Sequence, residues 1–252
     1  MKLKLQPITH IETSMNKNRK SLKLVKSDSS LSHKENKKVY EMAVRSILKT
    51  LDLKDNYTYG HSLRVAQNCL ILADHMNMND EQMYDLELSA LFHDIGKIGI
   101  PDRVLSKPHR LTDDEFEVMK RHPEMSYEIL KDFEGFEQIA LNARHHHERF
   151  DGRGYPDKLA GNKIPLFSRI ILLADTFDAI TSSRVYREGM SVDIAYSEIL
   201  ENAGTQFDPL LAKAFVKAMK RRLQSKEDKT FITLIDDFKE FEYKIGDDEE
   251  AA

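Results

Sequence analysis

Leu91-Phe92-His93-Asp94-Ile95-Gly96-Lys97 decides the reading of this chain. Ala90, Leu91, Phe92, Ile95 and Ile98 have the character of core, so the stretch reads as an apolar helix. Lys97 lies four residues beyond His93 and three beyond Asp94, and positions so spaced share a helix face. A carboxylate among such neighbours is costly to bury unless it is paired or bound to metal. On this reading two metal-ligand types sit in a core helix beside a cation able to hold a bridging anion. The plainer alternative is a His-Asp pair at a helix end with a solvated lysine. A short motif is only a hypothesis until its context agrees.

The context is helical. Before the stretch, Val39, Met42, Ala43, Ile47 and Leu51 fit one helical face. A second helix is expected from about Tyr57 to Met76, with Leu63, Ala66, Leu70 and Ala73 as core. A third opens at Asn79, an N-cap with Gln82 at its third position, and ends near Gly96. After the stretch, residues 98–111 carry two prolines and read as a loop. Thr112-Asp113-Asp114-Glu115 is a capping box that starts the next helix, which stops before Pro123. Short helices follow over about 124–132 and 136–148, the latter ending in His145-His146-His147. Residues 149–165 hold three glycines and two prolines and read as a mobile flap. Leu166 to Thr181 is an apolar helix interrupted by Asp175 and Asp178. Residues 191–202 form a shorter helix. Asp208-Pro209 pairs an N-cap with proline at the first helical position, starting a helix to about Leu223. No strand-period segment of any length precedes residue 230. The expected fold is all-α, a bundle of about eight or nine helices.

Composition narrows the function classes. Forty per cent hydrophobic and 32% charged residues fit a globular protein. No apolar run approaches the roughly 18 residues of a membrane span, and the basic N-terminus lacks the apolar core of a secretory signal. The single cysteine, Cys69, excludes an internal disulfide and fits a reducing cytoplasm. A net charge of −4 argues against nucleic acid as the main partner. Residues 1–36 lack a hydrophobic period and are basic; they read as a disordered segment before a domain over 37–225. Residues 226–252 form an acidic tail. Within it Phe231, Leu234, Ile235, Phe238, Phe241 and Ile245 would line one face of a docked terminal helix; short strands such as Phe231-Ile232-Thr233-Leu234-Ile235 are the alternative.

Eight of the ten histidines fall between residues 57 and 150, seven of them in the helical body and His109 in a loop. His61 points inward, because Val65 four residues on continues its face into the core. His122 stands just before a proline. His146 and His147 diverge by about 100° on a helix, so both serve one site only at a helix end or across two metals. Asp175, in Ile170-Ile171-Leu172-Leu173-Ala174-Asp175, has no Lys or Arg near it in sequence, and metal is the economical partner. Together with His93 and Asp94 these make five imidazoles and two carboxylates, more than one mononuclear site uses. A binuclear centre bridged by Asp94 fits the count. Nitrogen and oxygen ligands without sulfur suit iron, manganese or zinc.

Over about 37–225 the sequence resembles the HD-GYP subfamily of the HD phosphohydrolases. The likeness rests on Gly60-His61-Ser62, on His93-Asp94-Ile95-Gly96-Lys97-Ile98-Gly99-Ile100-Pro101 and on His122-Pro123-Glu124. It continues through His146-His147-Glu148-Arg149-Phe150-Asp151-Gly152-Arg153-Gly154-Tyr155-Pro156, Ala174-Asp175-Thr176-Phe177-Asp178-Ala179, Arg184-Val185-Tyr186-Arg187 and Gly204-Thr205-Gln206-Phe207-Asp208-Pro209. The resemblance implies an HD-domain helical bundle with the HD-GYP C-terminal helices. It implies a metal-dependent cyclic di-GMP phosphodiesterase whose product is linear pGpG and, in some members, GMP. His61, His93, Asp94, His122, His146, His147 and Asp175 would be the metal ligands, with Asp94 and Lys97 catalytic and Lys97 on a phosphate. Asp178, Arg184, Arg187 and Tyr155 would face the nucleotide, and Gly154, Tyr155 and Pro156 would form a loop that also contacts GGDEF-domain proteins. Iron is the expected metal, manganese the alternative. Some members bind a third metal with a Glu four residues before the first ligand His; Tyr57 stands there, so two metals are expected. Glu188-Gly189 also departs from the usual pattern beside the last arginine. A catalytically weak module that binds the dinucleotide or a GGDEF partner, and a hydrolase of another cyclic dinucleotide, are the competing readings. Monomer and homodimer both stay open.

Overall fold

A computed structural model of the chain describes residues 46–50, 58–182 and 189–224. The helices proposed around residues 35–45 and 231–245, and the residues Tyr57, Arg184 and Arg187, lie outside them. Among the described residues the fold is all-helical, with one isolated β-bridge between Ala203 and Phe207. Residues 46–50 are helical and bury Leu48. Nine named helices follow: α1 (Thr58–His75), α2 (Asp80–Phe92), α3 (Asp102–Leu105), α4 (Asp113–Met119), α5 (His122–Leu130), α6 (Glu137–His145), α7 (Leu166–Thr181), α8 (Val192–Glu201) and α9 (Pro209–Gln224).

The starts follow local chemistry. Asn79 and Gln82 form the reciprocal capping box of α2, and Thr112 and Glu115 that of α4. Ser191 caps α8 through the Ile194 amide, and the Asp208 carboxylate accepts from the Leu210 and Leu211 amides. Pro123 sits in the first turn of α5, where its missing N–H costs nothing. The sequence reading placed the start of α5 two residues late and the end of α6 three late. It also missed α3 inside the 98–111 loop.

The core is one cluster. α1 packs on α2, α7 and α9, while α6 closes against α2 and α5. Val65, Ala66, Cys69 and Leu72 of α1 meet Leu86, Ala90 and Phe92 of α2 and Ile170, Ile171 and Ala174 of α7. Small residues let these helices approach closely. Phe177 anchors the far side, edge-on to Phe215 and stacked on Tyr196. Cys69 is core, as expected. Ile98, expected in the core, is 41% exposed. The helix does not continue to it. α2 stops at Phe92 and a 3-10 helix, Ile95–Gly99, takes over, which rotates Ile98 outward.

That break is the local event that builds the site. It turns the chain toward α5, where Gly96 lies so close that a Cβ would stand 2.0 Å from the His122 carbonyl oxygen. The Gly96 N–H donates to Ser126 Oγ (2.9 Å), and Ser126 Oγ donates to the His93 carbonyl oxygen (2.9 Å).

Candidate metal centre

Helix ends bring the ligand-type residues together. His61 comes from the first turn of α1, and His93 and Asp94 from just past α2. His122 starts α5, His146 and His147 follow α6, and Asp175 projects from mid-α7. His61, His93, Asp94, His122 and His146 are all buried. His147 is half-buried, and the Asp175 side chain keeps 19% exposure on the cleft wall.

Asp94 is the centre of the arrangement. Its Oδ1 lies 3.1 Å from His122 Nε2 and 3.8 Å from His146 Nε2, and its Oδ2 lies 3.3 Å from His93 Nε2 and 3.9 Å from His61 Nε2. Two groups of potential ligand atoms result: Asp94 with His122, His146 and His147, and Asp94 with His61 and His93. Asp94 belongs to both. Asp175 Oδ1 stands 3.3 Å from His61 Nε2, adding a carboxylate to the second group's side.

Backbone carbonyls aim three of the imidazoles. Nδ1 donates to the carbonyl three residues back in His93 (Ala90, 2.6 Å), His122 (Met119, 2.8 Å) and His146 (Ala143, 2.6 Å). A carbonyl only accepts, so the proton sits on Nδ1 and Nε2 is the atom turned to the cleft. His61 is aimed instead by Asp178, whose Oδ2 is 2.7 Å from Nδ1. Arg64 holds that carboxylate through Nε (2.6 Å) and Nη2 (3.1 Å). Asp178 is 2% exposed. Expected to face the nucleotide, it is turned inward on His61.

Charge balance fits a cation. Burial works against charge on His61, yet its hydrogen bonds to Asp175 and Asp178 and the fields of Asp175 and Asp94 raise its pKa to about 9. Burial and the neighbouring His122 depress His147 to about 3. Burial and the histidines around it likewise push His146 far down. Despite its burial, Asp94 is held well below the usual carboxylate range, chiefly by Lys97 and His93. Two buried atoms, His93 Nε2 and Asp94 Oδ1, make no hydrogen bond of proper geometry. Buried polar atoms without partners are uncommon and call for an ion or water. Imidazole nitrogens around a shared carboxylate suit iron, manganese or zinc, so the residues present fit a divalent metal.

Lys97 Nζ is 2.6 Å from Asp94 Oδ2, with its side chain 21% exposed at the rim. Tyr155 packs beside His147, ring centroids 4.9 Å apart. Burial, with the Asp94 and Asp175 charges, raises the phenol far above its ordinary range, so it stays a hydrogen-bond donor. The loop that carries it, expected to be mobile, is tied down. Glu148 Oε1 accepts from the Asp157 amide (2.7 Å), Arg144 pairs with Asp157, and the Phe150 and Asp151 amides donate to the Gln206 and Thr205 carbonyls. Gly154 is where the loop touches its own base; a Cβ there would lie 2.3 Å from the Arg149 nitrogen.

Sequence reasoning missed Arg64, Ser126 and the anchoring role of Glu148. A signal existed for the first. Arg64 follows His61 by three residues, and Asp178 follows Asp175 by three, so each partner shares its ligand's helix face.

A family model described as HD domain matches residues 22–211. The chain belongs to the HD domain family. Among curated relatives of this HD domain, the cyclic di-GMP phosphodiesterase response regulator RpfG of Xanthomonas campestris pv. campestris (strain 8004) is 40% identical over 173 residues, 68% of this chain and 46% of its own length. The cyclic di-GMP phosphodiesterase PA4108 of Pseudomonas aeruginosa is 40% identical over 170 residues, 67% of this chain and 41% of its own. The 3'3'-cGAMP-specific phosphodiesterase 3 of Vibrio cholerae is 38% identical over 179 residues, 71% and 39%. The chain thus spans under half the length of these three relatives. Two solved structures share the fold: the V. cholerae cyclic GMP-AMP phosphodiesterase V-cGAP3 (TM-score 0.58, 20% identity, 74% of this chain and 51% of that one) and the Listeria monocytogenes PgpH HD domain (TM-score 0.54, 22%, 70% and 96%). HD domain phosphohydrolases are metal-dependent, in keeping with the His/Asp cluster. No helix among the described residues is long and apolar enough to cross a membrane.

The His61–Asp178–Arg64 chain gives a first expectation. Asp178→Asn keeps the size but loses the anionic acceptor that fixes His61. Removing such an outer partner typically costs 10–100-fold in metal affinity or activity. Metal titration of wild type and variant checks this; equal affinities would show that His61 needs no such support.

Proposed function

We propose that this chain is a metal-dependent phosphodiesterase that hydrolyses cyclic di-GMP to linear pGpG, acting in cytoplasmic second-messenger signalling. The observation that carries the reading is Asp94, common to two ligand groups that together draw on five histidines. Relatives named as cyclic di-GMP phosphodiesterases support the substrate. The proposed metals are two, iron first and manganese second, held by His61, His93, Asp94, His122, His146, His147 and Asp175. When bound, they supply a water nucleophile active near neutral pH and offset charge on the phosphoryl group.

The chain's own residues do the rest. Asp94 sets the spacing between the two groups. Asp178 and Arg64 keep His61 Nε2 turned inward. Lys97, at the rim, neutralises Asp94 and is placed to meet a phosphate oxygen, where charge-assisted contact favours the developing charge. Tyr155 offers an O–H beside His147. Arg184 and Arg187 are proposed nucleotide contacts, and Gly154, Tyr155 and Pro156 a proposed contact for a GGDEF-domain protein.

A second reading has a specific basis: relatives named for 3'3'-cGAMP are nearly as similar. Both dinucleotides belong in the test. The chain, loaded anaerobically with iron or with manganese, is expected to linearise cyclic di-GMP faster than 3'3'-cGAMP. The reverse order would move the substrate, and binding without any linear product would leave a receptor. Lys97→Ala separates phosphate contact from metal binding. Its metal content should stay at the wild-type level while turnover falls roughly ten- to a hundredfold, the scale of one charge-assisted bond. Loss of metal along with rate would make Lys97 a support of Asp94 alone.

A further inference from the structure

The described helices end with α9 at Gln224, and a groove of about 540 Å³ runs along α9 beside the end of α8. Leu200 and Val216 contribute apolar surface to it, and Lys213, Lys217, Lys220 and Arg221 line it as well. Lys213, Lys217 and Lys220 recur at steps of four and three, which places them on one stripe of the helix, with Arg221 at its edge. Like charges so spaced repel, and among the described residues no acid lines the groove. In the groove Leu200 is 43% exposed, and elsewhere on α9 Leu210 (77%) and Leu223 (65%) are exposed too. The surface is therefore both apolar and cationic, and among the described residues nothing anionic covers it.

The chain itself continues with such a cover. Residues 236–250 contain eight acids against two lysines. Phe231, Leu234, Ile235, Phe238, Phe241 and Ile245 fall on one face at helical spacing. Glu242 falls on that same face, eleven residues or about three turns after Phe231, and Asp237 borders it. A carboxylate on a docking face is costly unless it meets a cation. A plain apolar groove would not supply one; this groove does. Six residues, or seven Cα–Cα steps, separate Gln224 from Phe231, a reach of up to about 23–25 Å. As a helix, residues 231–245 would be about 22 Å long against about 24 Å for α9.

We propose that residues 231–245 fold back as an amphipathic helix, antiparallel to α9, onto the α8–α9 groove of the same chain. At 1.5 Å per residue the register brings Asp237 beside Lys217 and Glu242 beside Lys213. The apolar face covers Leu200 and Val216. This inference is independent of the catalytic reading, since none of these residues belongs to the metal centre.

Zero-length carbodiimide cross-linking of the full chain tests it, on an equimolar mixture of ordinary and ¹⁵N-labelled protein. Cross-links of Asp237 or Glu242 to Lys213 or Lys217 are expected, in same-isotope pairs only. Mixed-isotope pairs would place the segment on a second copy. Cross-links from these acids to the basic residues of 1–38, ten Lys or Arg against three acids, would place it there instead. Either result, or no cross-link at all, overturns the proposal. Hydrogen exchange gives a second reading. Amides of 231–245 should exchange at least tenfold faster in the full-length Lys213→Glu/Lys217→Glu double variant than in wild type, with α5 and α6 unchanged as proof of folding. Equal exchange rates in a folded variant would show that the groove holds something else.

Discussion

Asp94→Asn is expected to remove metal and turnover together. The substitution nearly keeps size but deletes the anion on which both ligand groups converge. His122, His146 and His147 remain on one side, His61 and His93 on the other, with nothing negative between them. Lys97, 2.6 Å from Asp94 Oδ2, then becomes a cation facing the metals without its counter-charge. Turnover should fall by more than the roughly 10–100-fold that follows loss of a ligand's outer partner, to on the order of a thousandfold or beyond. Metal analysis should find fewer than two ions per chain. Far-UV circular dichroism should stay helical, because the apolar cluster around Leu91 and Phe92 is untouched. A variant that keeps both metals and hydrolyses at the wild-type rate would remove Asp94 from the centre of the site.

Gly96→Ala should give the largest loss of stability among single-methyl changes. The added Cβ would stand 2.0 Å from the His122 carbonyl oxygen and 2.5 Å from the Ser126 nitrogen. Both are backbone atoms, so no side chain can swing aside. α5 must move, and His122 moves with it. Overpacking of this kind costs about 3 kcal/mol, a fall of roughly 6–12 °C in Tm for a domain of this size. Gly135→Ala is the comparison. Gly135 has a φ of 85° with nothing within 4 Å of a Cβ, so only backbone strain of about 1–2 kcal/mol applies. Thermal melts of the two variants, with metal content of the first, check the claim. If Gly96→Ala melts no lower than Gly135→Ala, the contact of the 3-10 helix with α5 is not tight. Metal retained in full would show that the position of His122 is not set there.

Most of the fold was legible because its signals are local. Capping boxes at Asn79 and Thr112, Pro209 behind Asp208, and the apolar period of 166–181 depend only on neighbours within a turn or two. The candidate ligands were legible for a similar reason. An imidazole or carboxylate embedded in an apolar stretch, as Asp175 is, has few explanations. Where local signals compete, boundaries slipped. Pro123 argues against helix at His122 by its effect on the preceding residue, yet the same ring suits a first turn, and contact with the 3-10 helix decides for the turn.

By itself, the sequence determined an all-helical chain and singled out five histidines and two aspartates as candidate metal ligands, since burial of charge leaves little alternative. Only the tertiary structure decided which of them stand close enough to share an ion, because that depends on distances between residues up to 114 positions apart, as for His61 and Asp175. It decided that Asp178 serves His61 rather than the cleft, since the 2.7 Å contact comes from how α1 and α7 are rotated against each other. It also decided that the chain after Asp94 leaves the α-helix. The close approach at Gly96 to α5 needs a tighter turn there, and no neighbour in sequence announces a contact with Ser126 thirty residues away.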